Sequence, residues 1–287
     1  MSSASTRRIV VDRLRSEEVQ QVCRVLMRVA EALGGISPDM TVVGGLVPVL
    51  LIDQEQTEEG FEAHAGTRDL DLGLDLALAE ARLLPELGAL LAGCGLVRDS
   101  LTRWSDAALP GVKVDLLVPA SDKAPPRTSL RIAHGVEATA VDGLDFAFRQ
   151  PVPVVLSAAT GSGSESRCTV YCCGPAAYVL LKTTALTSRQ ASKDAYDMVY
   201  VLRFWPGGPQ DIAQQLAAWT GERAVAEVTA KLRECFADYD SSGPELYVKF
   251  YSGRTPSIPA AHRGYLLRAE AHAAVLQLLR ELDASLS

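Results

Sequence analysis

The sequence predicts an α+β protein in two parts. An N-terminal α/β domain over residues 1–170 carries a mixed sheet with flanking helices, and a helical domain covers 171–287. Three observations predict this. Up to about residue 170, short β-rich runs such as "TVV" (41–43), "DLDLGL" (69–74) and "VKVDLLV" (112–118) alternate with amphipathic and Gly/Pro-punctuated stretches. Beyond it, apolar residues recur at helical spacing over 175–187, 192–204, 209–219, 222–237 and 262–284, with Pro206-Gly207-Gly208-Pro209 breaking two of these segments apart. Finally, 48% hydrophobic and 22% charged residues over 287 positions describe a globular chain able to bury one good core or two modest ones.

Residues 16–33 read as an amphipathic helix. Ser16 caps it, Glu17 and Glu18 suit its positive end, and Gly34-Gly35 ends it. The strand 41–43 runs into Gly44-Gly45 and then an apolar helix to Ile52, in which Pro48 fits only the first turn. Residues 53–66 form an acidic loop. An aspartate-bearing strand to about Leu76 follows, then a helix over about 79–92. Segment 121–166 mixes short strands with loops, "SAATGSGSES" being a mobile tip, and "CTVYC" (168–172) is the last strand.

The aspartate strand raises the chemical question. Side chains of a strand alternate faces, so Asp69 and Asp71 point one way and Leu70 and Leu72 the other, the two carboxylates about 7 Å apart along the chain. Such a pair can converge on one Mg²⁺, or share two ions about 4 Å apart. Asp115 lies in "VKVDLL", a strand that otherwise reads as core, where an acid is costly unless paired or bound to a cation. If the two strands are neighbours, Asp115 completes a three-carboxylate cluster. Asp75, about 13 Å beyond Asp71, is too far to share the ion and is a strand-end or solvent-facing residue. The bland alternative is a half-exposed edge strand with a polar outer face.

Bulk properties exclude several classes. No apolar run reaches the roughly 18 residues of a membrane span, and the N-terminus lacks the apolar core of a signal peptide, which places the chain in the cytoplasm. The net charge of −7 argues against a broad nonspecific nucleic-acid surface but leaves room for a local basic groove. The cysteines at 23, 94, 168, 172, 173 and 235 form no CxxC pair and read as reduced, mostly buried thiols. Only six of the 28 basic residues are lysines, so a lysine among acidic residues is informative here.

In order along the chain stand a strand, Gly44-Gly45, a helix, Asp69 and Asp71 in "TRDLDL", and Asp115 in "VKVDLL". This arrangement resembles the nucleotidyltransferase (polymerase-β-like) superfamily. A second block, "LLKTTALTSRQASKDAYDMVYVL" (180–202), resembles the helical part of AbiEii/MenT-type toxin nucleotidyltransferases through Lys182, Arg189, Lys193, Asp194 and Asp197. The resemblance covers about residues 40–200. It implies a nucleotidyltransferase fold whose helical domain contributes Lys and Asp to the site. It also implies Mg²⁺ held by Asp69, Asp71 and Asp115, and nucleotide phosphates contacted by Gly44, Gly45, Thr67, Lys182 and Arg189. Asp194 is needed for transfer, either orienting Lys182 or acting as base towards the acceptor. The stretch "DQEQTEEGFEAHAG" lengthens the gap before Asp69, and Val43 stands where some members carry a basic residue.

The activity so implied is Mg²⁺-dependent transfer of NMP from an NTP to an acceptor, with pyrophosphate leaving. The acceptor would be the tRNA 3′ end or a protein, and the chain the toxin of a toxin–antitoxin pair, restrained by a cognate antitoxin and otherwise monomeric. Alternatives are transfer to a small molecule, as in antibiotic-modifying enzymes, and a non-catalytic nucleotide-binding member of the fold. A DxD glycosyltransferase would place more chain before Asp69. Individually, Lys182, Arg189, Lys193 and Asp194 read equally as surface ion pairs, and Thr67 as a turn hydroxyl. Arg127 and Arg131 either grip an acceptor phosphate or line a solvated loop, and His64 and His134 are surface or core residues.

Overall fold

A computed structural model describes residues 6–33, 38–55, 62–75, 86–109, 111–160, 163–252 and 260–286, with side chains of 260–263 excluded. These form two compact units, 1–174 and 175–287. The expected Gly34-Gly35 stop, the middle of the acidic loop and the start of the 79–92 helix lie outside the described residues.

The first unit is built on one sheet, ten-stranded among the described residues. Its strands are β1 (Arg7–Val10), β2 (Met40–Val43), β3 (Asp69–Leu74), β4 (Leu96–Arg98), β5 (Arg103–Asp106), β6 (Lys113–Pro119), β7 (Ser129–Ala133), β8 (Val136–Val141), β9 (Val152–Ala159) and β10 (Glu165–Cys172). The order is β1-β9-β10-β2-β3-β6-β5-β4. The sheet is mixed: β3 runs antiparallel to β2 and parallel to β6. One edge of β6 is shared, residues 113–115 pairing with β5 and 117–119 with β8, which hairpins to β7.

Alternation explains the two central strands. Leu70, Leu72 and Leu74 of β3 and Val114, Leu116 and Val118 of β6 are all buried, while the residues between them on β6 are partly exposed. Because β3 lies between β2 and β6, it is an interior strand, and the edge-strand alternative falls. Flanking helices supply the rest of the core. In α1 (Glu17–Ala32) the Ser16 hydroxyl accepts the Val19 N–H at 3.3 Å, and Val22, Leu26, Val29 and Ala30 form the buried stripe. The short α2 (Val47–Leu51) takes Pro48 in its first turn, where a missing N–H costs nothing. Helix α3 spans Leu87–Gly93. The tip between β9 and β10 is shorter than the sequence suggests, since those strands extend to Ala159 and from Glu165.

The second unit is helical: α4 (Pro175–Arg189), α5 (Ser192–Phe204), α6 (Gly208–Ala217), α7 (Arg223–Cys235), α8 (Ser242–Tyr251) and α9 (Ala260–Leu286). Helix α8 has no counterpart in the sequence reading. Gly243, Pro244, Tyr247 and Phe250 are its buried residues, and Tyr196 of α5 stacks on Phe250 at 3.9 Å between ring centroids. None of the six cysteines is joined in a disulfide; Cys23, Cys172 and Cys173 are buried, and burial pushes the Cys23 and Cys172 thiols up to about 12. Among the described residues, no helix is long and apolar enough to cross a membrane.

Candidate active site

In the first unit, strand register aligns the candidate residues. Val43 of β2 pairs with Asp71, Asp71 with Asp115, and Asp115 with Arg103 of β5, one row across four strands. Two residues along, Asp69 pairs with Lys113, and Lys113 with Ser105. Asp69, Asp71, Lys113, Asp115, Arg103 and Ser105 therefore share the sheet face opposite the buried leucines. Asp69 is exposed, Asp71 partly so, and the Asp115 side chain 15% exposed.

The β2–α2 connection closes over Asp71. Gly44 opens a 3-10 turn (Gly44–Leu46) with φ +72°, and a Cβ built there would stand 1.8 Å from Asp71 Oδ2. Only glycine permits both that backbone and that approach. Gly45 is buried in the same turn. The Asp69 N–H donates to Thr67 Oγ1 at 3.1 Å, so the threonine closes the turn that starts β3.

Asp115 has a partner that the sequence reading missed. Arg103 Nε donates to Asp115 Oδ1 at 2.8 Å and its NH2 group to Oδ2 at 2.6 Å, a bidentate fork. The Asp115 hydrogen bond holds Arg103 well above its usual value, outweighing desolvation, and the charges of Asp115, Asp69 and Asp71 add to it. This pair explains how an acid survives in "VKVDLL". In sequence, only the alternation of "RWSD" points to Arg103, and nothing there reveals which strand it pairs with. Lys113 donates to Asp99 and to Ser105 Oγ, both at 2.9 Å.

Asp69 and Asp71 offer hard carboxylate oxygens of the kind Mg²⁺ takes, and the Cβ-free wall at Gly44 leaves the Asp71 carboxylate its room. Asp115, expected as a third ligand, has both oxygens engaged by Arg103. Among the described residues, no group of three or more His, Cys, Asp or Glu side chains is arranged to hold a metal ion. The remaining candidates stand apart from this face as follows. His64 is buried, its Nδ1 accepting the Gly66 N–H at 3.1 Å and its N–H donating to Gln54 Oε1 at 2.8 Å, so it shapes a loop. Arg127, Arg131 and His134 are exposed, and Asp75 follows the end of β3 with its N–H on Asp39 O.

In the second unit, α4 and α5 bury a charge network. Lys182 Nζ donates to Asp194 Oδ1 at 3.0 Å and to Asp197 Oδ2 at 2.6 Å. Arg189 forks onto Asp194 through Nε at 2.6 Å and NH2 at 2.7 Å, and Lys193 reaches Asp197 Oδ1 at 2.8 Å. Lys182, Asp194 and Asp197 are buried and their heads are not surface ion pairs; Arg189 and Lys193 close the network from the solvent side. Burial opposes ionisation of both Lys182 and Asp194. Even so, the charges of Asp197 and Asp194 raise Lys182, and the Arg189 hydrogen bonds with the Lys182 charge lower Asp194. A carboxylate so engaged is a poor proton acceptor and a good anchor. Asp197, fifteen residues from Lys182, makes its shorter contact.

A sequence profile of the nucleotidyltransferase family matches residues 20–201. The chain belongs to the nucleotidyltransferase family. The matched span of this nucleotidyltransferase holds the Gly44–Gly45 turn, Asp69, Asp71, Arg103, Asp115 and the whole Lys182–Asp197 block. Membership assigns it transfer of a nucleoside monophosphate, with an NTP as substrate. No curated protein and no solved structure matches the chain.

Proposed function

We propose that this nucleotidyltransferase is a Mg²⁺-dependent enzyme that transfers NMP from an NTP to the 3′ end of tRNA, as the toxin of a toxin–antitoxin pair. The observation that carries the chemistry is the contact between the Gly44 turn and the Asp71 carboxylate, in register with Asp115, inside the span the family profile matches. Asp69 and Asp71 would hold the ion. When bound, Mg²⁺ supplies charge neutralisation at the phosphates and alignment of nucleophile and leaving group.

The chain's own residues do the rest. Gly44, half-buried at the opening of the turn, presents backbone without a side chain, and a phosphate oxygen would approach the turn there, with Gly45 buried behind it. Thr67 fixes the entry of β3 and hence the direction of Asp69. Leu70 and Leu72, locked in the core, keep both aspartates from drifting. Lys182 is fixed within the second unit by its bonds to Asp194 and Asp197. Asp194 serves as the lysine's anchor rather than as the base, because Arg189 and Lys182 already occupy its oxygens. The tRNA acceptor is supported by the likeness of the Lys182–Asp197 block to AbiEii/MenT-type toxins.

The test is label transfer. Purified protein is incubated with Mg²⁺, each α-³²P-NTP in turn and total tRNA, beside an Asp69→Ala/Asp71→Ala control. Label on RNA with wild type alone supports the reading. Label on protein or on a small molecule instead moves the acceptor, and no label with any acceptor sinks the catalytic reading.

A further inference from the structure

Three carboxylates on two neighbouring strands need an explanation. Asp71 and Asp115 are registered partners on strands about 4.8 Å apart, and Asp69 stands on the same face. Like charges so placed repel unless a cation stands among them. Arg103 is in register with Asp115 on the opposite side of β6. Its backbone is held: the Arg103 carbonyl accepts the Asp99 and Ser100 N–H groups at 2.9 and 3.0 Å, and Trp104 beside it is buried on the other face. Its side chain is 44% exposed and has room to move. It forks onto Asp115 and also feels the charges of Asp69 and Asp71.

We propose that Arg103 is a positioning residue and internal counter-cation: its fork keeps Asp115 out of the divalent-cation site, and a cation must displace the guanidinium before Asp115 joins Asp69 and Asp71. This rests on Asp69 and Asp71 as the cation site. Lys113, on the same face, is drawn instead to Asp99 and Ser105, neither of which belongs to the carboxylate cluster. A surface ion pair that merely ties β5 to β6 would, when cut, loosen the site or leave it unchanged. A counter-cation, when removed, must tighten it.

The test is Mn²⁺ binding to the full chain without nucleotide, read from the free-Mn²⁺ electron paramagnetic resonance signal. Arg103→Gln should bind Mn²⁺ about tenfold tighter than wild type, because a positive charge beside the ion is gone and a carboxylate is released. Adding Asp115→Asn to Arg103→Gln should abolish that gain. Arg103→Lys keeps a point charge without the fork and should gain about threefold; it carries the test if Arg103→Gln does not fold. Affinity unchanged or weakened by the Arg103 variants, or a gain that survives Asp115→Asn, overturns the inference. Failure of the underlying reading looks different: wild-type Mn²⁺ binding would then be indifferent to Asp69→Asn/Asp71→Asn.

Discussion

The two units solve the same electrostatic problem in opposite ways. On the sheet face of the first, Asp69, Asp71 and Asp115 stand in or near solvent, and Arg103 covers one of them. In the second, Lys182, Asp194 and Asp197 are buried, and Arg189 and Lys193 complete a network in which each carboxylate meets two cations. Exposed like charges cost little folding energy and attract a cation, whereas buried opposite charges hold a helix pair and one lysine in place. The contrast predicts that mutations on the sheet face cost activity, and mutations in the helix pair cost stability first.

The largest effect tests the first half. Asp71→Ala should lower label transfer by about 10³-fold or more, as expected when a charge-stabilising cation is lost. Its unfolding free energy should stay within about 0.5 kcal/mol of wild type, since the buried leucines of β3 are untouched. Denaturant unfolding beside the transfer assay decides it. A variant that loses both together would make Asp71 a structural residue. Asp197→Ala tests the other half: it leaves Lys182 buried beside Asp194 alone and should cost about 3–5 kcal/mol in denaturant unfolding. A cost below about 1 kcal/mol would mean that the network is solvated like a surface pair.

Gly44→Ala crosses the comparison, since it is a backbone change with a catalytic target. The added methyl would stand 1.8 Å from Asp71 Oδ2, in a left-handed conformation that costs an L-residue about 1–2 kcal/mol. The carboxylate must move, and a displacement near 1 Å costs about 10²-fold in rate. Assay and melting curve together should show a large rate loss with a modest stability loss.

How much of the fold is legible in the sequence follows from the range of the physics. Alternation in "DLDLGL" and "VKVDLLV" is local, so both strands, their buried leucines and valines and their polar faces were legible, as were the Ser16 cap and the position of Pro48. The Lys182–Asp194 contact was within reach because both residues lie on short-spaced helices. Arg103 was not, because its meaning depends on which strand pairs with β6, and β5 and β8 divide that edge between them. Helix α8 stayed hidden because Gly243 and Pro244 at its start read as a turn, although Tyr247 and Phe250 behind them are buried at helical spacing.

The smallest effects separate the rim of the buried network from its centre. Arg189 is 61% exposed although it forks onto Asp194, so Arg189→Ala should cost at most about 1 kcal/mol at neutral pH. Its consequence should grow in acid. Asp194 titrates below the ordinary aspartate value near 3.9. Its contribution is therefore complete above that value and is lost as pH falls through the lower folded one. Arg189 supplies the hydrogen bonds that, after desolvation, act most on Asp194, and they lower its value, so removing it brings the folded value back up. Acid unfolding of Arg189→Ala should begin at higher pH than that of wild type, while the contribution of Lys182, raised above its ordinary value, is complete below about 10.4 and is lost only as pH rises through the higher folded value. Coincident acid transitions would show that Lys182 alone holds Asp194 ionised.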